Sequence, residues 1–188
     1  MNKNRILQDL ERELSPKRLR HTLGVARTAR ELAAKFGADA EKAELAALLH
    51  DRTREKTLAE QLIICEKYDI ITEEQERGSA ALLHSATAAA VARDVYGVPE
   101  DVAAAIACHT VGRVGMTPLD KALCLADYIE PSRDFPGVDD LRRTACENPD
   151  RALLQAFDGT IRHLLDKGSP IHPATVAARN DLLRIVGD

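Results

Sequence analysis

The sequence predicts an all-α protein, and three observations support this fold class. Apolar residues recur with a period close to 3.6 along nearly every segment, and none shows the sustained alternation of a strand. Aromatic residues make up only 3% of the chain and Trp is absent, so Leu, Ala, Ile and Val must build the core, which suits closely packed helices. Gly and Pro recur between the periodic segments. We therefore expect a bundle of about eight to ten helices.

The helices can be placed in order from their start and stop signals. A short helix is expected over 3–13. Ser15 and Pro16 then supply an N-cap and a first-turn proline for a long helix that stops at Gly37. Further helices are expected over 39–51, 57–67, 79–96, 100–110, 117–130, 137–146, 150–167 and 173–185.

Charge and composition restrict the class of partner. The chain has 26 basic and 30 acidic residues, a net charge of −4, and a pI near 5.9. This balance argues against a duplex-DNA or anionic-membrane surface, where basic residues would be in excess. A small phosphorylated ligand remains compatible, because a few local arginines suffice to bind one.

The cysteines and the N-terminal segment indicate a reducing, cytoplasmic setting. The four cysteines show no CxxC spacing and lie among apolar or helix-forming residues, so we expect buried free thiols at Cys65, Cys108, Cys124 and Cys146. The first 15 residues are charged throughout, unlike a signal peptide. No apolar segment approaches the roughly 18 residues that a membrane span requires.

Six ionisable side chains fall on helix faces that should be buried: His21, His50, Asp51, His84, His109 and Asp127. Burying them without partners would be costly, and a shared divalent cation would remove that cost. Imidazole and carboxylate without thiolate suit Fe, Mn, Co, Ni or Zn. Adjacent helical residues point about 100° apart, so His50 and Asp51 can share an ion only near the helix end, in a cleft.

The order of these residues resembles a known family. His21, the doublet His50-Asp51 and Asp127 follow the H…HD…D pattern of the HD-domain phosphohydrolases. The segments RLRHTLGVARTARELA, AELAALLHD, LLHSATAA, ACHTVGRVGMTPLDKALCLADYIEPSRDFPGVDDLR and IHPATVAARNDLL are similar to the bacterial YqeK family, over about residues 15–185. That resemblance implies an iron-dependent hydrolase that cleaves diadenosine tetraphosphate symmetrically into two ADP.

The resemblance also implies a domain layout and a metal site. We expect one HD domain over 1–188, with a metal-binding core over about 15–135 and C-terminal helices over 137–188 that close the nucleotide site. The implied metal ligands are His21, His50, Asp51 and Asp127, with Fe favoured over Mn, Co, Ni or Zn. One ion is favoured, and a second could bind through His84 and His109.

Several residues near this site have expected roles at the phosphates. Asp51 is expected to orient the attacking water, and His84 and His109 to act as imidazolium donors. Arg18, on the face of His21 at a helix N-terminus, suits an anion. The remaining predicted phosphate contacts are Arg54, Thr110 and Arg133, and the predicted nucleoside contacts are Ile171 and His172. Arg54 stands where the family pattern has lysine, and its planar fork is not an equivalent phosphate contact.

Two other functions remain open at this stage. One is a nucleotidase or dNTP phosphohydrolase of the same superfamily, and the other is a catalytically weak nucleotide-binding regulator. In each case the expected partner is a small nucleotide, with neither nucleic acid nor membrane, and a homodimer is left open.

Overall fold

The computed structural model describes residues 3–187, which form eleven α-helices and no strand. In chain order the helices are α1 (Lys3–Glu13), α2 (Pro16–Phe36), α3 (Ala40–Leu49), α4 (Leu58–Lys67), α5 (Glu74–Arg77), α6 (Ala80–Tyr96), α7 (Glu100–Cys108), α8 (Pro118–Ile129), α9 (Val138–Glu147), α10 (Pro149–Asp166) and α11 (Pro173–Gly187). The all-α prediction is confirmed, and ten helices lie within two residues of the expected ranges.

The extra helix is α5, a single turn that the sequence pattern did not predict. It has no buried residue, so it lacks the apolar periodicity on which the prediction depended. Local hydrogen bonding supports it instead, because the backbone N–H of Glu73 donates to the Glu76 carboxylate at 2.8 Å.

The long helix α2 begins and ends as its sequence signals indicate. The Ser15 hydroxyl accepts a hydrogen bond from the backbone N–H of Arg18, and Pro16 occupies the first turn. Gly37 ends the helix in the left-handed conformation, with φ of 74°, which a residue with a side chain adopts less readily.

The core is built around α2, which packs against both α3 and α8. Its contact face includes the fully buried Ala29 and Ala33, and α3 faces the core with Ala43, Ala46 and Ala47. Small side chains let the helix axes approach closely, which explains how a chain with few aromatic residues fills its interior. The same apolar core extends from α1 to α11.

One cysteine does not follow the prediction. Cys65, Cys108 and Cys124 are buried free thiols, whereas Cys146 is a free thiol exposed near the end of α9. The expectation for Cys146 was wrong because it follows Ala145, the last buried residue of α9, and neighbours on a helix point about 100° apart.

Within the described part of the chain, no helix combines the length and apolar character that crossing a bilayer requires.

Candidate active site

Asp51 lies at the centre of a cluster of four histidines. Its Oδ2 is 3.5 Å from Nε2 of His21 and 3.4 Å from Nε2 of His50. Its Oδ1 is 3.2 Å from Nε2 of His84 and 4.0 Å from Nε2 of His109. Asp127 completes the group, with Oδ1 3.0 Å from Nε2 of His21. The structure thus brings together the six inward-facing residues that the sequence singled out.

Five helices deliver these side chains to one place. His50 and His109 follow the last residues of α3 and α7, and Asp51 begins the turn after α3. His21 and His84 come from the N-terminal halves of α2 and α6, and Asp127 from the last turn of α8. The cluster therefore lies where helix ends meet.

Three of the histidines are fixed in the same way by their own helices. His50, His84 and His109 each direct Nδ1 at the carbonyl oxygen three residues earlier, with Nδ1–O distances of 2.6 Å to Ala47, 2.8 Å to Ala81 and 2.7 Å to Ile106. A carbonyl oxygen only accepts hydrogen bonds, so each Nδ1 carries a proton. In a neutral ring, the lone pair is then on Nε2, which faces the cluster.

The donor atoms fit a divalent cation. Nε2 of His21 and Nε2 of His50 are buried and form no hydrogen bond with a described residue, although Asp127 is close to His21. Two sets of donor atoms lie within 4.8 Å of one another: His21, His50 and Asp127, and His50, Asp51 and His109. Neutral imidazole and carboxylate are suitable ligands for such an ion.

Both carboxylates are ionised in this environment. Burial alone would raise the pKa of Asp51, but the adjacent imidazole groups of His50 and His21 outweigh it and hold the pKa well below its usual range. Burial acts in the same direction on Asp127, where His21 and Arg133 hold the pKa down. The cluster therefore offers two negative charges to a cation.

The histidines differ in their proton affinity. Burial lowers the pKa of His21, but the adjacent carboxylates of Asp127 and Asp51 outweigh that effect and raise the pKa to about 9. For His109, burial and the neighbouring His50 and His84 outweigh the attraction of Asp127 and Asp51 and lower the pKa to about 3. His109 is therefore neutral, which disfavours the imidazolium role expected for it.

Two arginines pair with the two carboxylates. Nη1 of Arg18 is 2.5 Å from Oδ2 of Asp51. Arg133 donates from Nε to the backbone oxygen of Asp127 at 2.6 Å and from Nη2 to its carboxylate. The carboxylate partner of Arg133 is thus Asp127.

An open cavity of about 670 Å³ extends from the cluster, within the usual size range of ligand sites. Its lining includes Arg18, Asp51, Arg54, His84, His109, Thr110, Asp127, Arg133 and His172. Residues of α10 and of the segment before α11 also line the cavity. The lining omits Ile171 but includes its neighbours Pro170 and His172.

Comparison with known proteins identifies the family. Residues 18–132 match the model of the HD domain. The chain belongs to the HD-domain family. Two curated relatives of this HD-domain protein are named symmetrical bis(5'-nucleosyl)-tetraphosphatase. The one from Halalkalibacterium halodurans is 42% identical over 97% of this chain and 98% of its own. The one from Bacillus subtilis is 40% identical, with the same coverage.

A solved structure shares the architecture of this HD-domain protein. It is an HD superfamily hydrolase from Clostridium acetobutylicum, described as involved in NAD metabolism, with a TM-score of 0.94, 39% identity and 98% of each chain covered. The similarity extends well beyond residues 18–132 and includes the C-terminal helices.

The three residues after the HD doublet differ in their surroundings: Arg52 and Thr53 contact other parts of the fold, and Arg54 lines the cavity. Arg52 points away from the cavity: Nη2 donates to Glu13 at 2.8 Å, and its guanidinium lies 5.0 Å from the ring centroid of Tyr96. Thr53 donates from its hydroxyl to the backbone oxygen of His84 at 2.9 Å. Arg54 is the member of this turn that lines the cavity.

Several residues around the HD-domain cavity were not predicted from sequence. Tyr128 lines it beside Asp127, and its hydroxyl lies 2.8 Å from that of Thr160 in α10. Gln75, from the unpredicted α5, lines another part. Only its place in the ADYIEP segment could have indicated Tyr128, because a single tyrosine near a helix end carries no signal of its own.

Proposed function

We propose that this HD-domain protein hydrolyses diadenosine tetraphosphate symmetrically, with one water consumed and two ADP released. The observation that carries the proposal is the convergence of buried Nε2 atoms and ionised carboxylates, at 3.0–4.0 Å, beside an arginine-lined cavity. The names of the relatives, which are 40–42% identical over nearly the whole chain, support this substrate. Related dinucleoside polyphosphates would fit the same chemistry.

The proposed cation site consists of His21, His50, Asp51 and Asp127. Imidazole and carboxylate ligands without thiolate suit Fe, Mn, Co, Ni and Zn alike, and Fe(II) is proposed among them on the resemblance to the YqeK family. When bound, a divalent cation activates water and neutralises charge on phosphoryl oxygens. One ion is proposed, and His84 with His109 would provide ligands for a second.

The phosphate chain is proposed to lie against three arginines of the cavity. Arg18 and Arg133 pair with the carboxylates of Asp51 and Asp127. If a cation binds these carboxylates instead, both guanidinium groups become available to phosphate oxygens. Arg54 lines the cavity from the turn after the HD doublet. Guanidinium groups bind phosphate in a bidentate fashion, and Thr110 adds a hydroxyl beside His109.

The adenosine groups are proposed to lie towards the C-terminal helices. Nδ1 of His172 accepts a hydrogen bond from the backbone N–H of Ala174 at 3.2 Å, so its proton is on Nε2. That Nε2 is buried without a hydrogen-bond partner in the described chain, although the carboxylates of Glu73 and Glu76 lie 3.8 and 3.9 Å away. It offers a donor to a base or ribose.

Asp51 is proposed to orient the attacking water. Its carboxylate is ionised and accepts hydrogen bonds, so it can align a water molecule with one of the two central phosphorus atoms. The new P–O bond forms as the bond to the oxygen between the two central phosphorus atoms breaks. That oxygen leaves with the second ADP, and the protons of the water are released to solvent. Nε2 of His109 lies 4.0 Å from Oδ1 of Asp51, so its ring borders the space proposed for this water.

One assay separates the proposal from the alternatives. Protein loaded anaerobically with Fe(II) is incubated with diadenosine tetraphosphate in ¹⁸O-labelled water, and the nucleotides are resolved by chromatography and mass spectrometry. Two ADP with a single ¹⁸O between them are expected, whereas AMP plus ATP would indicate asymmetric cleavage. Faster turnover of dATP than of the dinucleotide would favour the dNTP phosphohydrolase, and tight binding without product would favour the regulator. Parallel samples with Mn, Co, Ni, Zn or chelator test the choice of metal.

A further inference from the structure

His21 differs from the other three histidines in how its ring is fixed. His50, His84 and His109 use a carbonyl oxygen of their own helix. Nδ1 of His21 instead lies 2.9 Å from Oε1 of Glu130, the residue that follows α8. A side chain from a different part of the fold therefore sets the direction in which Nε2 of His21 points.

Glu130 is itself held rigidly. It is 1% exposed, and its Oε2 and Oε1 accept hydrogen bonds from the backbone N–H and the hydroxyl of Ser132 at 2.7 and 2.6 Å. Arg142 in α9 donates to the backbone oxygen of Glu130 at 2.9 Å. A buried carboxylate is costly unless its oxygens are paired, and here they are used to orient His21 and the start of the following turn.

Gly24 makes room for this carboxylate. It lies one turn after His21 on α2, and a methyl group at position 24 would overlap with Oε2 of Glu130. Glycine in a helix interior is less stable than alanine, so its presence in α2 calls for a compensating reason. The close approach of Glu130 provides one, and it links the glycine of RLRHTLG to the glutamate of ADYIEP.

We propose that Glu130 is a positioning residue for the cation site and that Gly24 is required for it to reach His21. Glu130 keeps the proton of His21 on Nδ1 and directs the Nε2 lone pair at the space beside Asp51 and Asp127. The inference rests on the proposed function, because it takes His21 as a ligand of the cation. Removal of such a carboxylate behind a ligating histidine typically weakens metal binding about 10–100-fold.

The test measures Co(II) binding to the metal-free full-length protein by calorimetry and by the d–d absorption spectrum. Glu130→Gln and Gly24→Ala should each weaken Co(II) binding about 10–100-fold and alter the spectrum. Gly24→Ala should cause no further loss in a Glu130→Ala background, because the carboxylate that it displaces is then absent. Gly24→Ala also tests the proposal should Glu130→Gln not fold.

Asp120 provides the matched control. It is another fully buried carboxylate of α8, but it pairs with Arg113, at 2.6 and 2.9 Å. Asp120→Asn should lower the unfolding temperature and leave Co(II) affinity at the wild-type value. Wild-type affinity in Glu130→Gln, or additive losses in the double variant, would overturn the inference. Absence of Co(II) binding by the wild-type protein would instead count against the proposed function.

Discussion

Nη1 of Arg18 lies 2.5 Å from Oδ2 of Asp51, the same oxygen that faces His21 and His50. An arginine in the first turn of α2 thus meets the carboxylate that follows α3. Arg18 and a cation would compete for this oxygen, since both are attracted by the same negative charge. The pairing links the proposed cation site to the proposed phosphate site.

Replacement of Arg18 by alanine should separate phosphate binding from metal binding. We expect KM for diadenosine tetraphosphate to rise about 10–100-fold, the loss of a charge-assisted hydrogen bond worth roughly 1.5–3 kcal/mol. Metal affinity should be equal to or higher than that of wild type, because the competing guanidinium is gone. Steady-state kinetics and calorimetry measure the two effects.

Lys17 is the control for Arg18. It has the same charge, precedes Arg18 in the same helical turn and is exposed, so Lys17→Ala should leave both KM and metal affinity unchanged. A weaker metal affinity in Arg18→Ala would contradict the competition between the guanidinium and the cation.

Arg54 stands where the family pattern has lysine, and substitutions at this position test whether that difference affects phosphate binding. Arg54 lines the cavity, whereas the neighbouring Arg52 is buried against Glu13 and Tyr96. Arg54→Lys should lower kcat/KM about threefold, since an ammonium group neutralises phosphate but lacks the planar fork of a guanidinium, and Arg54→Ala should lower it about 10-fold or more. If the alanine variant kept the wild-type kcat/KM, Arg54 would have no role at the phosphates.

Most of the fold could be predicted because its signals are local. Ser15 with Pro16, and Gly37, mark the ends of α2 through the chemistry of their own backbone. The helix α5 could not be predicted, because a four-residue turn without a buried face has no periodicity to detect. The exposed Cys146 was predicted to be buried because its sequence neighbours are apolar or helix-forming. Burial on a helix depends instead on which face the residue occupies.

The residues of the site that could be predicted are the polar ones that lie on otherwise apolar helix faces. His21, His50, His84 and His109 stood out in this way, and the structure brings them together around Asp51. Glu130 was not predicted as part of the site, because a glutamate after a helix end usually faces solvent. Its burial depends on the absence of a side chain at Gly24, a complementarity between distant positions that one sequence does not reveal.

The stability of the metal-free protein should have a maximum at mildly acidic to neutral pH. Burial lowers the pKa of His21, but Asp127 and Asp51 raise it from 6.5 to about 9. The stabilisation by protonated His21 is thus fully present below pH 6.5 and is lost as the pH rises through 9. Burial lowers the pKa of His109 to about 3, so below pH 6.5 only the unfolded chain takes up that proton, and stability falls as the pH decreases.

Calorimetry of chelator-treated protein measures this dependence. The alkaline loss should reach about 3 kcal/mol at most, or about 6–12 °C in Tm for a chain of this size. His21→Asn should remove most of the alkaline loss and leave the acidic one. A wild-type Tm that rises steadily up to pH 9 would contradict the assignment of His21.

His84 and His109 face each other with their Nε2 atoms 3.1 Å apart, while each Nδ1 is directed at a carbonyl oxygen. Two lone pairs cannot face each other at that distance without repulsion, so a proton or a cation must lie between them. With one bound ion held by His21, His50, Asp51 and Asp127, the group between them is a proton. His109→Ala should then retain about one equivalent of metal and lower kcat about 100-fold or more.

Metal content by elemental analysis and kcat are measured on the same samples, with His163→Ala as control because His163 is exposed on α10. That control should match wild type in both quantities. If His109→Ala lost metal in proportion to activity, His109 would be a ligand, in agreement with the set His50, Asp51 and His109. Two equivalents in wild type and one in the variant would place a second ion between His84 and His109.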